Sequence, residues 1–173
     1  ARNHLGFTGD YSSRILGFFP LMLIVTAIPA GFIGGKTGRK PAILSGLLLM
    51  GATLVVIFLL NPEILAAVII TLPLFGPVPV IGIMLMICGS TWMLVNVNSI
   101  PMIFDMAGKN ETGTYTGLCF FSVTAAAITG PNISGSIVEL TGNNYSSIFV
   151  TASVFILFAF AIMTGVKEGE AKL

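Results

Sequence analysis

Charged side chains are scarce in this 173-residue chain: Asp, Glu, Lys and Arg make up 9% of it, whereas hydrophobic residues make up 55%. A soluble domain carries roughly 25% charged residues, so this chain has too few polar groups to cover its apolar surface in water. Four segments contain no charged residue, namely 15–35, 41–62, 64–104 and 112–138. Each reaches or exceeds the ~20 apolar residues that cross a bilayer core. The composition therefore excludes a soluble domain and predicts an integral membrane protein.

Other features are missing as well. The net charge of +1 gives no basis for nucleic-acid binding. Cys88 and Cys119 both lie in apolar runs, which argues against a disulfide framework or a metal site. The sequence contains no phosphate-binding Gly-x-x-x-x-Gly-Lys-Ser/Thr loop, paired catalytic carboxylates or nucleophile–base set, so neither an enzyme nor a resident cofactor is expected. Residues 1–14 lack the apolar stretch of a signal peptide, and the first residue is Ala, which indicates a fragment or a processed chain.

The uncharged runs predict an all-α polytopic bundle over residues 15–166 with five spanning helices. Nineteen residues at ~1.5 Å each give about 28 Å, enough for one crossing. The predicted spans are about 15–33, 42–60, 80–104, 113–138 and 145–166. Segment 64–78 is rich in proline and is predicted to be interfacial or helix-extending, with a sixth span as the alternative.

The distribution of basic residues supports five spans over six. Five spans place six basic residues on one membrane face: Lys36, Arg39, Lys40, Lys109, Lys167 and Lys172. They leave Arg2 and Arg14 on the other face, whereas a sixth span would reverse the bias. Because cytoplasmic loops carry the excess of Lys and Arg, the segment 1–14 is predicted outside and the tail 167–173 in the cytoplasm.

The loop after the first span has a recognisable pattern, Gly31-Phe-Ile-Gly34-Gly-Lys36-Thr-Gly38-Arg39-Lys40-Pro. It resembles the signature loop of the major facilitator superfamily, although Gly35 stands where that loop has an acidic residue or Asn. Physically, its glycines permit a tight turn, and its basic side chains can meet helix C-terminal carbonyls or carboxylates of neighbouring helices. In the superfamily, the weaker copy of this loop follows the eighth helix, so the resemblance implies helices eight to twelve.

Two further stretches, 92–105 and 113–135, resemble helices ten and eleven of bacterial sucrose-type and glycoside–pentoside–hexuronide sugar:cation symporters. This resemblance implies a twelve-helix parent in the bacterial inner membrane, whose first seven helices lie outside this chain. Its expected partners are the lipid bilayer, those N-terminal helices, a small-molecule solute such as a sugar, and a coupling cation, proton or sodium.

The third span contains the candidate substrate-binding residues Trp92, Asn96, Asn98 and Ser99. An amide inside hydrocarbon needs a partner, so each Asn faces either a cavity or another helix. Trp92, Asn96 and Ser99 follow helical spacing and share one face, whereas Asn98 points about 200° away from Asn96. An indole beside hydrogen-bonding groups suits a sugar, whose ring faces are apolar and whose edges are polar. Simple packing of Trp92 is the alternative.

Asp105 ends the third span and has two interpretations. It can pair with Arg39 or Lys40 as part of a cytoplasmic gate that includes the signature loop, or it can act as a proton-coupling carboxylate. In the fourth span, Gly130 and Pro131 predict a helix kink.

The sequence is also compatible with two other functions. The same fold can export drugs or metabolites, in which case a cavity lined by aromatic and Met side chains is expected. Alternatively, the chain by itself is an inactive structural fragment, since five helices cannot form both halves of an alternating cavity.

Overall fold

The computed structural model describes residues 7–73, 75–107 and 111–167, which form helices joined by short turns and one hairpin. The helices are α1 Gly9–Leu16, α2 Phe18–Thr37, α3 Arg39–Leu59, α4 Pro62–Ala66, α5 Val80–Met106, α6 Thr112–Leu140 and α7 Ser147–Gly165. The hairpin consists of β1 Val68–Leu72 and β2 Gly76–Pro79.

Five membrane-length helical segments lie in the described ranges, as the uncharged runs predict. They are Gly9–Thr37, Arg39–Leu59, Val80–Met106, Thr112–Leu140 and Ser147–Gly165, the first combining α1 and α2. Large apolar side chains point outward, with Ile24 77%, Ile28 73% and Phe121 71% exposed. Such side chains would be costly in water and are favourable against lipid tails. The predicted helical membrane bundle with five spans is therefore confirmed.

Helix α5 lies at the centre of the packing. It contacts α2 on one side and α3 on the other, and α7 packs on α3. Small residues allow these close approaches: a Cβ on Gly46 of α3 would lie 2.8 Å from Val95 Cγ2 of α5. Lipid tails are as apolar as the helix surfaces, so the hydrophobic effect does not drive helices together in a membrane. Association depends instead on close van der Waals contacts such as this one.

Segment 64–78 does not extend a helix, so that part of the prediction is wrong. After the single turn α4, the chain forms the antiparallel β1–β2 hairpin, with a register irregularity between Val68 and Ile70. The β-branched run in β1 favours a strand, and Pro73 and Gly76 flank its turn. The uncharged hairpin lies at the membrane end opposite the α2–α3 turn. Its predicted interfacial position stays a prediction.

The hairpin packs on the start of the first long span. Tyr11 Oη donates a hydrogen bond to the Pro77 carbonyl oxygen at 3.0 Å, and the Phe75 and Phe18 ring centroids are 5.6 Å apart. These two contacts lie on either side of Gly17, which separates α1 from α2. The hairpin therefore holds both helical segments at this break.

Three helix boundaries differ from the sequence prediction by three residues or more. The first long span begins at Gly9 rather than at residue 15, so residues 9–14 of the predicted extracytoplasmic segment are helical. The loop predicted at 34–41 shortens to Gly38, because α2 continues to Thr37 and α3 begins at Arg39. Both extensions are rich in charged, hydroxyl and glycine residues, which hydropathy alone leaves outside a span.

Candidate functional site

The turn between α2 and α3 brings the signature-loop residues to one end of the bundle. Gly38, with φ 94°, is the single residue between the two helices. A side chain is strained at this φ, which explains a glycine here. The turn places Arg39 and Lys40 in the first turn of α3, beside the ends of two other helices. We call this end of the bundle the basic face.

Arg39 and Lys40 each contact a different helix. Arg39 Nη1 forms an ion pair with Asp105 Oδ2 near the end of α5. Lys40 Nζ donates to the Thr164 and Val166 carbonyl oxygens at 3.0 and 2.5 Å, at the C-terminal end of α7. A cation suits the partial negative charge of a helix C-terminus. Neighbouring residues of one short turn thus join α3 to α5 and to α7.

The structure contains one of the ion pairs expected for Asp105 and assigns Arg39 as the partner. It does not bring Lys40 to Asp105. The sequence predicted that basic residues of this loop contact helix carbonyls, but it did not predict that Lys40 contacts the end of α7. Which helix end lies beside Lys40 depends on the tertiary packing. Lys36 is exposed, and within the described residues its ammonium group has no hydrogen-bond or ion-pair partner. Lys109, also expected at this face, lies outside the described residues.

Asn98 lies between helices and is only 4% exposed. Its Nδ2 donates to the Ala30 carbonyl of α2 at 3.2 Å and to the Leu94 carbonyl of its own helix at 2.8 Å. A Cβ on Gly34 would overlap the Asn98 carboxamide, so the glycine makes room for it. This arrangement is the interhelical alternative considered for an intramembrane amide. Gly31 of the same loop motif lies near Val97, again on the α2–α5 contact.

Trp92, Asn96 and Ser99 form a polar stripe on α5 that faces away from the Asn98 contact. Trp92 is 41% exposed, and Asn96 and Ser99 are half-buried. Asn96 Nδ2 donates to the Trp92 carbonyl at 3.3 Å, and Ser99 Oγ donates to the Val95 carbonyl at 2.7 Å. Among the described residues, Trp92 Nε1 and Asn96 Oδ1 have no hydrogen-bond partner. The stripe therefore retains two donors, the Trp92 indole N–H and the second Asn96 N–H, and several acceptor positions.

Helix α6 is at the edge of the bundle, and Val138 is its one buried residue. Its polar side chains bond their own helix: Thr116, Ser122, Thr129, Asn132 and Ser136 donate to carbonyls four residues earlier. This local pairing lowers the cost of placing them in lipid. The helix continues through Gly130 and Pro131, and the kink predicted there stays a prediction.

The polar side chains described above form hydrogen bonds and one ion pair. No group of three His, Cys, Asp or Glu residues in ranges 7–73, 75–107 and 111–167 is placed to hold a metal ion. The fold and these contacts define a class: a polytopic membrane protein with closely packed helices, a polar stripe inside one span and an ion pair at the basic face.

A comparison with protein-family models matches residues 1–172 to the Major Facilitator Superfamily. The chain belongs to this superfamily and is a membrane transporter. A search of curated proteins finds no match. The resemblance of the signature loop to this superfamily is therefore confirmed by an independent comparison over nearly the whole chain.

Proposed function

We propose that this chain is part of a secondary active transporter that moves a small solute, a sugar, by cation-coupled alternating access. The polar stripe on α5 is the observation that supports this proposal most directly. Unsatisfied hydrogen-bonding groups inside a span are costly against lipid, so they are retained where a cavity or ligand meets them. In transporters of this kind, substrate sites lie near the bilayer midplane.

Sugar chemistry matches the groups of the stripe. Asn96 Oδ1 accepts a hydrogen bond from a sugar hydroxyl, and the indole N–H of Trp92 donates to another oxygen. The Trp92 ring offers an apolar surface for the C–H face of the sugar. Ser99 adds an acceptor one turn further along the helix. Asn98 is buried against α2 and fixes the rotation of α5 about its axis. The stripe, on a different face of α5, therefore points away from the α2–α5 contact.

The ion pair at the basic face is proposed to close the transporter on the cytoplasmic side. Arg39 and Asp105 join α3 to α5, so the pair must break if these helix ends separate during alternation. Their side chains are 24% and 35% exposed, which allows water to replace the lost contact at modest cost. A coupling cation, proton or sodium, would supply the driving force, and Asp105 is the candidate carboxylate for its coupling.

The five spans are proposed to work with the N-terminal helices of a twelve-helix parent in a bacterial inner membrane. Helix α6 supports this view, since it has apolar and small residues with little packing in the described bundle. The basic face would lie in the cytoplasm with the C-terminus, as the excess of basic residues predicts.

The test is solute uptake by the full-length transporter in right-side-out membrane vesicles, with a panel of mono- and disaccharides and a pH electrode outside. Proton symport predicts external alkalinisation when the transported sugar is added. Sodium symport predicts uptake that requires external sodium and leaves the pH unchanged.

Absence of sugar uptake under both conditions contradicts the proposal. Uphill expulsion of an apolar drug by the same vesicles would indicate export by this fold. A preparation of the five-span chain that aggregates and binds no solute, while the full-length transporter is active, would support a structural role for the isolated chain.

A further inference from the structure

The first long span has a weak point near the end of the bundle opposite the basic face. Gly17 separates α1 from α2, and Pro20 in the next turn has no N–H to bond the Leu16 carbonyl oxygen. Gly17 itself has φ −63° and ψ −19°, so the two helices are nearly continuous here. Helices kink most readily where such a bond is missing. The short helix α1 can therefore turn relative to α2 about Gly17.

The α2 side of this break is held firmly. Phe18 is 1% exposed and lies against Phe75 of the hairpin. Gly82 of α5 also borders the Phe18 ring, since an added Cβ there would lie 3.2 Å from it. The hairpin is attached to α5 as well: β2 runs directly into this helix, and Val80 N donates to the Ala67 carbonyl oxygen at 2.9 Å. The start of α2 is thus fixed to the helix that carries the polar stripe.

The α1 side is held by contacts that oppose one another. The bond from Tyr11 to the Pro77 carbonyl oxygen is exposed, so water can replace it. Ile15 is 1% exposed in a cluster with Ile57 of α3, which favours the packed position. Ser12 disfavours it, because its Oγ is buried and has no hydrogen-bond partner in the described part of the chain. A buried hydroxyl without a partner destabilises the arrangement that buries it, and water would satisfy it once α1 moves out.

We propose that α1 is a latch that the hairpin holds shut and that swings outward about Gly17, with Phe18 as the fixed pivot. Tyr11 and Ile15 hold the shut position, and the unpaired Ser12 hydroxyl makes release easier. This role rests on the proposed alternating access, in which this end of the bundle faces the outside and must open to admit solute. Because the hairpin continues into α5, the latch connects that opening to the helix that carries the polar stripe.

Double electron–electron resonance on the full-length transporter in nanodiscs measures the latch directly. Spin labels replace Asp10 on α1 and Ile69 on β1, two exposed positions, in a background free of other cysteines. We expect two populations, a short distance for the shut latch and a longer one for the released latch. A single short distance in the parent protein and in every variant would overturn the proposal.

Two substitutions should act in opposite directions. Tyr11→Phe removes the latch bond and should raise the ratio of released to shut populations about fivefold. Ser12→Ala removes the unpaired hydroxyl and should lower that ratio about fivefold. The matched controls are Tyr145→Phe, at an exposed tyrosine in the turn between α6 and α7, and Ser13→Ala, whose exposed hydroxyl bonds the Gly9 carbonyl oxygen of its own helix.

Both controls should leave the ratio unchanged. A shift in the same direction for Tyr11→Phe and Ser12→Ala, or a control shift as large as either, contradicts the latch. Pro20→Ala supplies the missing helix bond and should also lower the ratio, whereas Pro29→Ala, further along α2, should not. Equal ratios in these two variants would refute the hinge.

The outcome for the latch is separable from that for the transported solute. Sugar uptake by a transporter with one fixed distance refutes the latch alone. Two distances that respond to Tyr11→Phe and Ser12→Ala as expected, in a transporter that takes up no sugar, refute the proposed substrate alone.

Discussion

Asn98 shows how one polar residue can determine the distance between two membrane helices. Its carboxamide occupies the space above Gly34 and reaches the Ala30 carbonyl of α2. A hydrogen bond between membrane helices contributes about 0.6–2 kcal/mol, but an unpaired amide in lipid costs more. The residue therefore stabilises one register of α2 against α5 and disfavours others.

Gly34→Ala should lower the stability of the bundle by about 1 kcal/mol, because the new methyl group displaces the Asn98 carboxamide from its hydrogen bond. Thermal unfolding of the full-length protein in detergent measures this loss. Gly35→Ala is the matched control, since a Cβ there meets nothing within 4 Å. Combining Gly34→Ala with Asn98→Ala should cost less than the sum of the two single changes. Strict additivity would show that the two residues do not interact.

Asp105→Asn should change transport more than stability. The Arg39–Asp105 pair is partly exposed, and exposed pairs contribute only about 0.2–1 kcal/mol to folding. Loss of the gate predicts an altered uptake rate with the same pH dependence, whereas loss of a coupling carboxylate predicts a flattened pH dependence. Initial uptake rates measured from acid to alkaline pH distinguish the two roles.

The charge-reversed pair Arg39→Asp with Asp105→Arg is the control for that measurement. It should restore the uptake rate if the residues act as a gate. If Asp105→Asn alone leaves both the rate and its pH dependence unchanged, neither role is correct.

At the scale of elements, α5 is positioned by close contact with α2 and α3 on two sides. A Cβ on Gly89 would lie 2.5 Å from the backbone oxygen of Phe19 and 3.1 Å from Met22 Cβ. Backbone atoms cannot move aside as a side-chain tip can, so the helices themselves would have to separate. The polar stripe would then move with α5.

Gly89→Ala should therefore destabilise the protein by about 1–3 kcal/mol, as overpacking of a tight contact does. Gly130→Ala on α6 should be neutral or slightly stabilising, because that position is open and Ala favours helix over Gly. Thermal unfolding of both variants under the same detergent conditions provides the comparison. Equal loss of stability in the two would contradict the packing described for α2 and α5.

The hairpin is the element that sequence reasoning did not foresee. Hydropathy and charge locate membrane spans well, because a span must be apolar and long enough to cross the bilayer. Segment 64–78 does not cross the bilayer as a helix, so this requirement does not determine its structure. The run Val68-Ile69-Ile70-Thr71 contained a strand signal in its β-branched residues. Its pairing with β2 and its contacts with Tyr11 and Phe18 depend on tertiary structure, which no local pattern reveals.

At the scale of the whole molecule, the five spans and the superfamily were predictable. Uncharged runs of about 20 residues or more are compatible with few structures other than membrane spans. The loop from Gly31 to Pro41 has a spacing of glycines and basic residues that is typical of the superfamily. The site was predictable in part: Trp92, Asn96 and Ser99 share a face because helical geometry requires it. The burial of Asn98 against Gly34 and the bond from Lys40 to α7 were not, because they depend on which helices become neighbours.

The central claim is that the transported solute binds the α5 stripe, and solute counterflow in proteoliposomes tests it most directly. The full-length protein should exchange external labelled sugar for internal unlabelled sugar. Asn96→Ala should raise the half-saturating concentration about tenfold, the effect of one lost hydrogen bond in a binding site. Asn132→Ala on α6 is the matched control and should exchange normally. Counterflow that is unchanged in Asn96→Ala, or reduced equally in both variants, would contradict the account.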